Sequence, residues 1–172
     1  MAVKTAALTL EGEGLRFVAR SGSGHSIVLD DAHSDTGMRP ADLVPIAVAG
    51  CTGMDVISIL RKQRQVIAKY EIRASGIQQD SHPNEFTRID IVHIVEGPAV
   101  DVEGVRRAIE LSATRYCAVG ATLSSGTTAI HHAYLVRDGN GDERMAEVVV
   151  TGPNQDPRQV GTRDAAVATG AG

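Results

Sequence analysis

The chain has 172 residues, of which 42% are hydrophobic and 3% aromatic, with no tryptophan and a formal net charge of -4. This length is typical of one globular domain whose core needs no disulfide support. The negative charge and the scarcity of aromatic side chains exclude the basic, base-stacking surface of a nucleic-acid-binding protein, so we expect no nucleic-acid partner.

Neither the N-terminal segment nor the longest apolar run predicts export or membrane insertion. Residues 1–14 contain one lysine and no sustained apolar stretch, so we expect no secretory signal. The apolar run Leu43–Met54 is too short to cross a bilayer. Two cysteines are too few for a secreted disulfide scaffold. We therefore expect a cytoplasmic protein without a membrane partner, whose cysteines are catalytic, redox-sensing or simply buried.

Glycine turns divide the first third of the chain into short predicted strands, over residues 3–10, 15–19 and 26–29. A long helix is predicted from Ala41 to about Gln65. Its apolar residues occupy nearly every face, which is typical of a buried helix.

The second half of the chain alternates between strand and helix patterns. The predicted elements are strands over residues 67–78, 86–95 and 127–136, a helix that begins at residues 101–103, and a short helical segment over residues 117–123. We expect one domain over residues 1–137 and a C-terminal extension over residues 138–172. That extension contains a predicted edge strand at 145–151, followed by a mobile tail.

Cys51 lies in the most apolar part of the predicted long helix, near Gly50 and Gly53. A free cysteine in such a position is most often an inert core residue. Each glycine costs about 1 kcal/mol relative to alanine in a helix interior, which indicates that another group approaches the backbone closely. Cys51 can therefore have either a redox role or a purely structural one.

Cys117 follows a predicted helix break near Arg115 and Tyr116. The backbone N–H groups at the start of a new helix could stabilise a thiolate there, but a buried cysteine at a helix junction explains the pattern equally well. Cys51 and Cys117 are 66 positions apart and form no CxxC motif. Any bond between them would depend on the tertiary fold.

Arg39 and Asp42 precede Cys51 by two to three turns of the predicted helix and are candidate supporting groups. A cation at the mouth of the helix could hold a thiolate. The alternatives are a solvated surface arginine and a first-turn carboxylate that interacts with the helix dipole.

The histidines do not predict a metal site. His131 and His132 are adjacent in a predicted strand, so their side chains point to opposite faces. The other four histidines show no ligand spacing, and no glycine-rich phosphate-binding loop is present. We therefore expect neither a metal nor a cofactor.

Three segments together resemble the OsmC/Ohr family of thiol-dependent peroxidases, and the likeness extends over about residues 1–137. These segments are RPADLVPIAVAGCTGMDVISILRKQR at 39–64, FTRIDIVHIVEG at 86–97 and RRAIELSATRYCAVGATLSSGTTAIHHAYLV at 106–136. The sequence around Cys51 is more similar to the OsmC-like branch than to the dedicated organic-hydroperoxide branch.

The resemblance implies an α+β fold, with antiparallel sheets around long central helices in an intertwined homodimer. It also implies an antioxidant enzyme that reduces organic hydroperoxides, and hydrogen peroxide as a further substrate, at the expense of an external dithiol. Cys51 would be the peroxidatic thiolate and Cys117 the resolving cysteine. Arg39 and Asp42 would correspond to the arginine and carboxylate of the family, with Arg20 or Arg16 as alternatives to Arg39. A non-catalytic protein of the same fold, which binds a small molecule or senses redox state, is the alternative.

Overall fold

A computed structural model describes residues 2–153, so the mobile tail predicted after the last strand lies outside the described residues. The chain forms two compact units, which meet in sequence between Ile46 and Ala47.

The first unit contains a three-stranded antiparallel sheet with strands in the order β1-β2-β3. The strands are β1 (Ala6–Leu10), β2 (Phe17–Ser21) and β3 (Ser26–Leu29). Gly12 and Gly24 have φ values of 74° and 90°, a left-handed conformation that glycine adopts without steric cost, which explains the glycines between the strands. The hairpins predicted from the sequence are thereby confirmed.

The second unit contains a four-stranded sheet with strands in the order β4-β5-β6-β7. The strands are β4 (Lys69–Gln78), β5 (Phe86–Glu96), β6 (Ala129–Arg137) and β7 (Glu143–Thr151). The α+β class is confirmed, and four of the five strand pairs within residues 2–153 are antiparallel. The pair β5–β6 is parallel, because a helical crossover and not a hairpin connects the two strands.

Within the described residues 2–153, three α-helices accompany the sheets: α1 (Leu43–Lys62), α2 (Val102–Leu111) and α3 (Ala118–Ser124). A single 3₁₀ turn at Pro40–Asp42 precedes α1. Helix α2 begins where the Asp101 side chain accepts a hydrogen bond from the N–H of Glu103, at 3.1 Å. A π-helical turn, Ser112–Tyr116, separates α2 from Cys117 and accounts for the break that the sequence predicts there.

Helix α1 is buried along one face only. Val48, Thr52, Val56 and Leu60 have no exposed surface, and their spacing of four residues aligns them on the side that packs in the core. The expectation that the helix is buried all round is wrong for this chain alone, because Met54 on another side of α1 is 75% exposed. A single chain therefore buries one side of α1 and leaves another side exposed.

Residues 40–62 are also long and apolar enough to cross a membrane by length and composition. The expectation that the apolar segment is too short to cross a bilayer is therefore wrong on length and composition. Val56 and Leu60 nevertheless belong to the core cluster with residues of α2, β5, β6 and β7, as in a core helix of a folded domain.

Candidate functional site

Cys51 lies on α1 between the core face and the exposed side, and its side chain is half-buried. Of the two glycines near Cys51, Gly53 is required by packing, because a Cβ at that position would collide with Cδ1 of Ile72 on β4. A Cβ at Gly50 would meet no atom within 4 Å among the described residues. Close backbone approach is therefore confirmed for Gly53 and not for Gly50.

Cys117 is the residue that precedes α3, and its side chain is 3% exposed. Its Sγ accepts a hydrogen bond from the N–H of Gly120 at 3.2 Å. A Cβ at Gly120 would lie 3.3 Å from this Sγ, so glycine leaves room for the sulfur. The N–H of Cys117 donates to the carbonyl of Ser112 at 2.9 Å, which closes the π-helical turn. Backbone contacts on both sides therefore fix Cys117.

The fold brings the two cysteines together. Both are free thiols, and Cys51 lies close enough to Cys117 to raise the pKa of the Cys117 thiol. Burial raises the pKa of Cys117, and the neighbouring Cys51 side chain and the charge of Asp55 raise it further, against the opposing effect of the Gly120 N–H. Cys117 is therefore a protonated, enclosed thiol at neutral pH, whereas Cys51 is the sulfur that solvent can reach.

A polar cluster, Thr52, Asp55 and Ser112, lies beside the cysteine pair. The Oγ of Ser112 is 2.9 Å from both Oδ2 of Asp55 and Oγ1 of Thr52. Ser112 has one hydroxyl proton and the carboxylate is the stronger acceptor, so Ser112 donates to Asp55 and accepts from Thr52. Thr52 and Ser112 have no exposed surface.

Sequence reasoning missed this cluster. Asp55 carries a signal that could have found it, because it follows Cys51 by four residues and lies on the same side of the helix. Ser112 carries no such signal, because it approaches α1 only through the tertiary fold.

The predicted supporting residues Arg39 and Asp42 belong to the first unit, and their described contacts are with each other and with Asp35. The Arg39 guanidinium forms an ion pair with Asp35 at 2.9 Å. The backbone N–H of Arg39 donates to Oδ2 of Asp42 at 2.9 Å, so Asp42 caps the turn before α1.

The two alternative arginines also lie in the first unit, on or next to β2. Arg16 forms an ion pair with Glu11 and donates to Oγ1 of Thr36 at 3.2 Å. Arg20 lies within β2 and its side chain is exposed. Arg20 is the one of these arginines whose guanidinium pairs with no carboxylate among residues 2–153.

The predicted orientation of the adjacent histidines is confirmed, since His132 is buried and His131 reaches Oε2 of Glu147 at 2.9 Å on the other face of β6. His132 stacks on buried His93, which lies 2.7 Å from the Tyr70 hydroxyl. Burial lowers the pKa of His93 to about 3 and that of His132 to about 4, so both are neutral at physiological pH.

Within residues 2–153, no group of three or more histidine, cysteine or acidic side chains is arranged to hold a metal ion. The site that the described residues form is thus a pair of neighbouring thiols with a polar cluster beside it. The class that the fold and the site define is an α+β protein with one thiol in a long helix and a second, buried thiol at the start of a short one.

The comparisons with known proteins agree with this class. The family model described as OsmC-like protein matches residues 33–150, and the chain belongs to the OsmC-like family. It is 37% identical to protein YhfA of Escherichia coli K12 over 124 residues, which cover 72% of this chain and 92% of that protein.

Solved structures show the same fold. A hypothetical protein from Aquifex aeolicus VF5 aligns with a TM-score of 0.68 at 28% identity, covering 79% of this chain and 97% of that one. An organic hydroperoxide resistance protein OsmC from Legionella pneumophila aligns with a TM-score of 0.58 at 9% identity, covering 79% and 97% of the two chains. The second likeness concerns the fold alone.

Proposed function

We propose that this protein is a cytoplasmic thiol peroxidase that reduces organic hydroperoxides, and hydrogen peroxide as a further substrate. The observation that carries the proposal is the proximity of Cys51 and Cys117, which are far apart in the sequence but near enough for Cys51 to raise the pKa of Cys117. The family includes a member named for organic hydroperoxide resistance, which supports the choice of substrate class.

Cys51 is the attacking sulfur, because it is half-buried whereas Cys117 is enclosed and protonated. Its thiolate bonds to the terminal peroxide oxygen, the O–O bond breaks, and the leaving alkoxide takes a proton to become an alcohol. Cys51 is then a sulfenic acid, oxidised by two electrons.

Cys117 is the resolving sulfur. It bonds to the sulfur of the Cys51 sulfenic acid, the S–O bond breaks, and the departing hydroxide combines with the Cys117 proton as water. An external dithiol then reduces the Cys51–Cys117 disulfide by thiol–disulfide exchange and is itself oxidised. No cofactor or metal takes part in these proposed reaction steps.

Arg39 and Asp42 complete the proposed site, with Arg39 as the cation that stabilises the negative charge on the leaving oxygen. Arg16 and Arg20 are the alternatives for this role. The pairing of Arg39 with Asp35 is exposed, so it would be exchanged for a peroxide at little cost in free energy. Asp42 would orient Arg39 through the backbone contact between them.

We also propose a homodimer in which the second copy covers the exposed apolar side of α1. Met54 is 75% exposed, Gly50 is exposed, and Met54 and Ile57 line an open cleft along the helix. In the first unit, Leu8 and Leu10 on β1 are each about half exposed and face the same side of the strand. Such apolar surfaces are typical of a protein–protein interface.

A steady-state assay with cumene hydroperoxide or hydrogen peroxide tests the proposal, with dihydrolipoamide or a simple dithiol as reductant. We expect turnover of both peroxides, faster with cumene hydroperoxide, and its loss in Cys51→Ser. A folded, reduced wild-type protein that turns over neither peroxide would contradict the proposal and favour a binding or redox-sensing role.

A further inference from the structure

A short bridge of hydrogen bonds connects helix α1, which carries Cys51, to the turn that carries Cys117. The proposed chemistry does not use this bridge. The bridge begins on α1, where Thr52 follows Cys51 directly and Asp55 lies one turn beyond it. Both side chains reach Oγ of Ser112 at 2.9 Å. The carbonyl of Ser112 accepts the N–H of Cys117 at 2.9 Å. Ser112 is therefore tied to the helix of Cys51 by its side chain and to Cys117 by its backbone.

The location of this bridge matters, because Ser112 begins the π-helical turn that carries Cys117. A π-helical turn is a rare backbone conformation and occurs frequently at functional sites. Its hydrogen bonds join residues five positions apart, and here that bond runs from the N–H of Cys117 to the carbonyl of Ser112. Thr52 and Ser112 are completely buried, which means that water cannot replace the bonds they make.

We infer that Asp55 and Ser112 are positioning residues that hold Cys117 against Cys51 for disulfide formation. The inference rests on the pairing of the two cysteines in the proposed function, and it does not depend on which oxidant the protein meets. Disulfide geometry tolerates only small displacements of the two sulfurs, so loosening the turn lowers the probability that they meet.

The Asp55 carboxylate has a second effect, because its negative charge opposes a thiolate at Cys117. Burial is the main cause of the raised pKa of Cys117, and the Asp55 charge adds to it while the side chain holds the turn in place. This effect depends on charge, whereas the anchoring depends on hydrogen bonds, so substitutions can separate the two.

Equilibration in glutathione buffers of graded redox ratio tests the anchoring without any peroxide. The measured quantity is the effective concentration of the two thiols, from the fraction of Cys51–Cys117 disulfide in each buffer. We expect it to fall about tenfold in Asp55→Ala and in Ser112→Ala, each of which removes a buried hydrogen bond. Glu103→Gln removes an exposed carboxylate from α2 and is the matched control, with the wild-type value expected.

The charge effect is tested in a Cys51→Ser background by the pH dependence of Cys117 alkylation. Asp55→Asn keeps an acceptor for Ser112 and removes the charge, so the alkylation profile of Cys117 should shift to lower pH. Thr52→Val removes a hydroxyl without a change of charge and should leave the profile in place. If Asp55 acted through packing alone, the alkylation profiles of Asp55→Asn and Thr52→Val would not differ in this way.

Folded Asp55→Ala and Ser112→Ala proteins with the wild-type effective concentration would overturn the inference, as would a wild-type protein that forms no Cys51–Cys117 disulfide in any glutathione buffer. If the alanine variants do not fold, Asp55→Asn takes their place, because it weakens the charge-assisted hydrogen bond to Ser112, and a wild-type effective concentration in that variant overturns the inference. A wild-type protein that forms the disulfide but reduces no peroxide contradicts only the proposed function.

Discussion

Cys51 lies close enough to Cys117 to raise the pKa of its thiol, although 66 positions separate the two residues in the sequence. One sulfur is half-buried on a long helix and the other is enclosed at the start of a short one. This asymmetry supports different roles for two chemically identical side chains.

Thiol alkylation should distinguish the two cysteines directly. At pH 7.5, iodoacetamide should modify Cys51 at least about tenfold faster than Cys117, because Cys117 is enclosed and its pKa is raised by burial. Peptide mass spectrometry of the reduced protein measures both rates. Equal rates, or faster modification of Cys117, would reverse the proposed roles.

Gly53 should be intolerant of a side chain because α1 approaches β4 closely there. Gly53→Ala should lower the free energy of unfolding by about 1–2 kcal/mol, since the new methyl collides with Cδ1 of Ile72. The double variant Gly53→Ala/Ile72→Val removes that methyl, so chemical denaturation should show a favourable coupling of about 1 kcal/mol. Additive effects of the two substitutions would show that the contact is absent.

The buried histidines should make the protein sensitive to mild acid. Their pKa values are about 3 for His93 and about 4 for His132, whereas an unfolded histidine has a pKa near 6.5. Below pH 6.5 the unfolded chain gains protons that the folded chain does not, so the stability that each histidine contributes is present above this pH and is lost as the pH falls. Each should lower the free energy of unfolding by about 2 kcal/mol between pH 7.5 and pH 5.

Urea denaturation at these two pH values measures the loss. His132→Gln should remove about half of the pH dependence, and His25→Asn, at an exposed position in the first unit, should leave it unchanged. An unaltered pH dependence in His132→Gln would mean that this side chain is accessible to protons in the folded protein.

The exposed side of α1 predicts a consequence for the oligomeric state. Met54→Glu should convert the proposed dimer into a monomer in sedimentation equilibrium, because it places a charge in an apolar interface. Met54→Leu keeps the apolar character and should remain dimeric. A wild-type protein that sediments as a monomer would contradict the proposed dimer.

The local pattern of the sequence predicts each strand and helix, because alternation and helical spacing are properties of neighbouring residues. The parallel pairing of β5 with β6 was not predicted, since it depends on where the α2–α3 crossover returns. The exposure of Met54 was not predicted either, because the all-round apolar pattern of α1 does not say which sides the same chain covers.

In the candidate site, too, some residues can be predicted from the local sequence, and others depend on the tertiary fold. Cys51 and Cys117 could be singled out from their neighbours, but their proximity is a property of the tertiary fold. Asp55 was within reach of sequence reasoning through its spacing from Cys51. Ser112 was not, because a serine at the end of α2 has no local feature that connects it to α1.

A single-turnover reaction tests whether Cys51 attacks the peroxide and Cys117 resolves the product. Reduced wild-type protein and Cys117→Ser are each mixed with one equivalent of cumene hydroperoxide, and the remaining peroxide and the intact masses are measured. We expect both proteins to consume one peroxide per chain, with a Cys51–Cys117 disulfide in the wild type and a dimedone-reactive sulfenic acid at Cys51 in the variant. Unconsumed peroxide, or consumption without any change at Cys51, would contradict it.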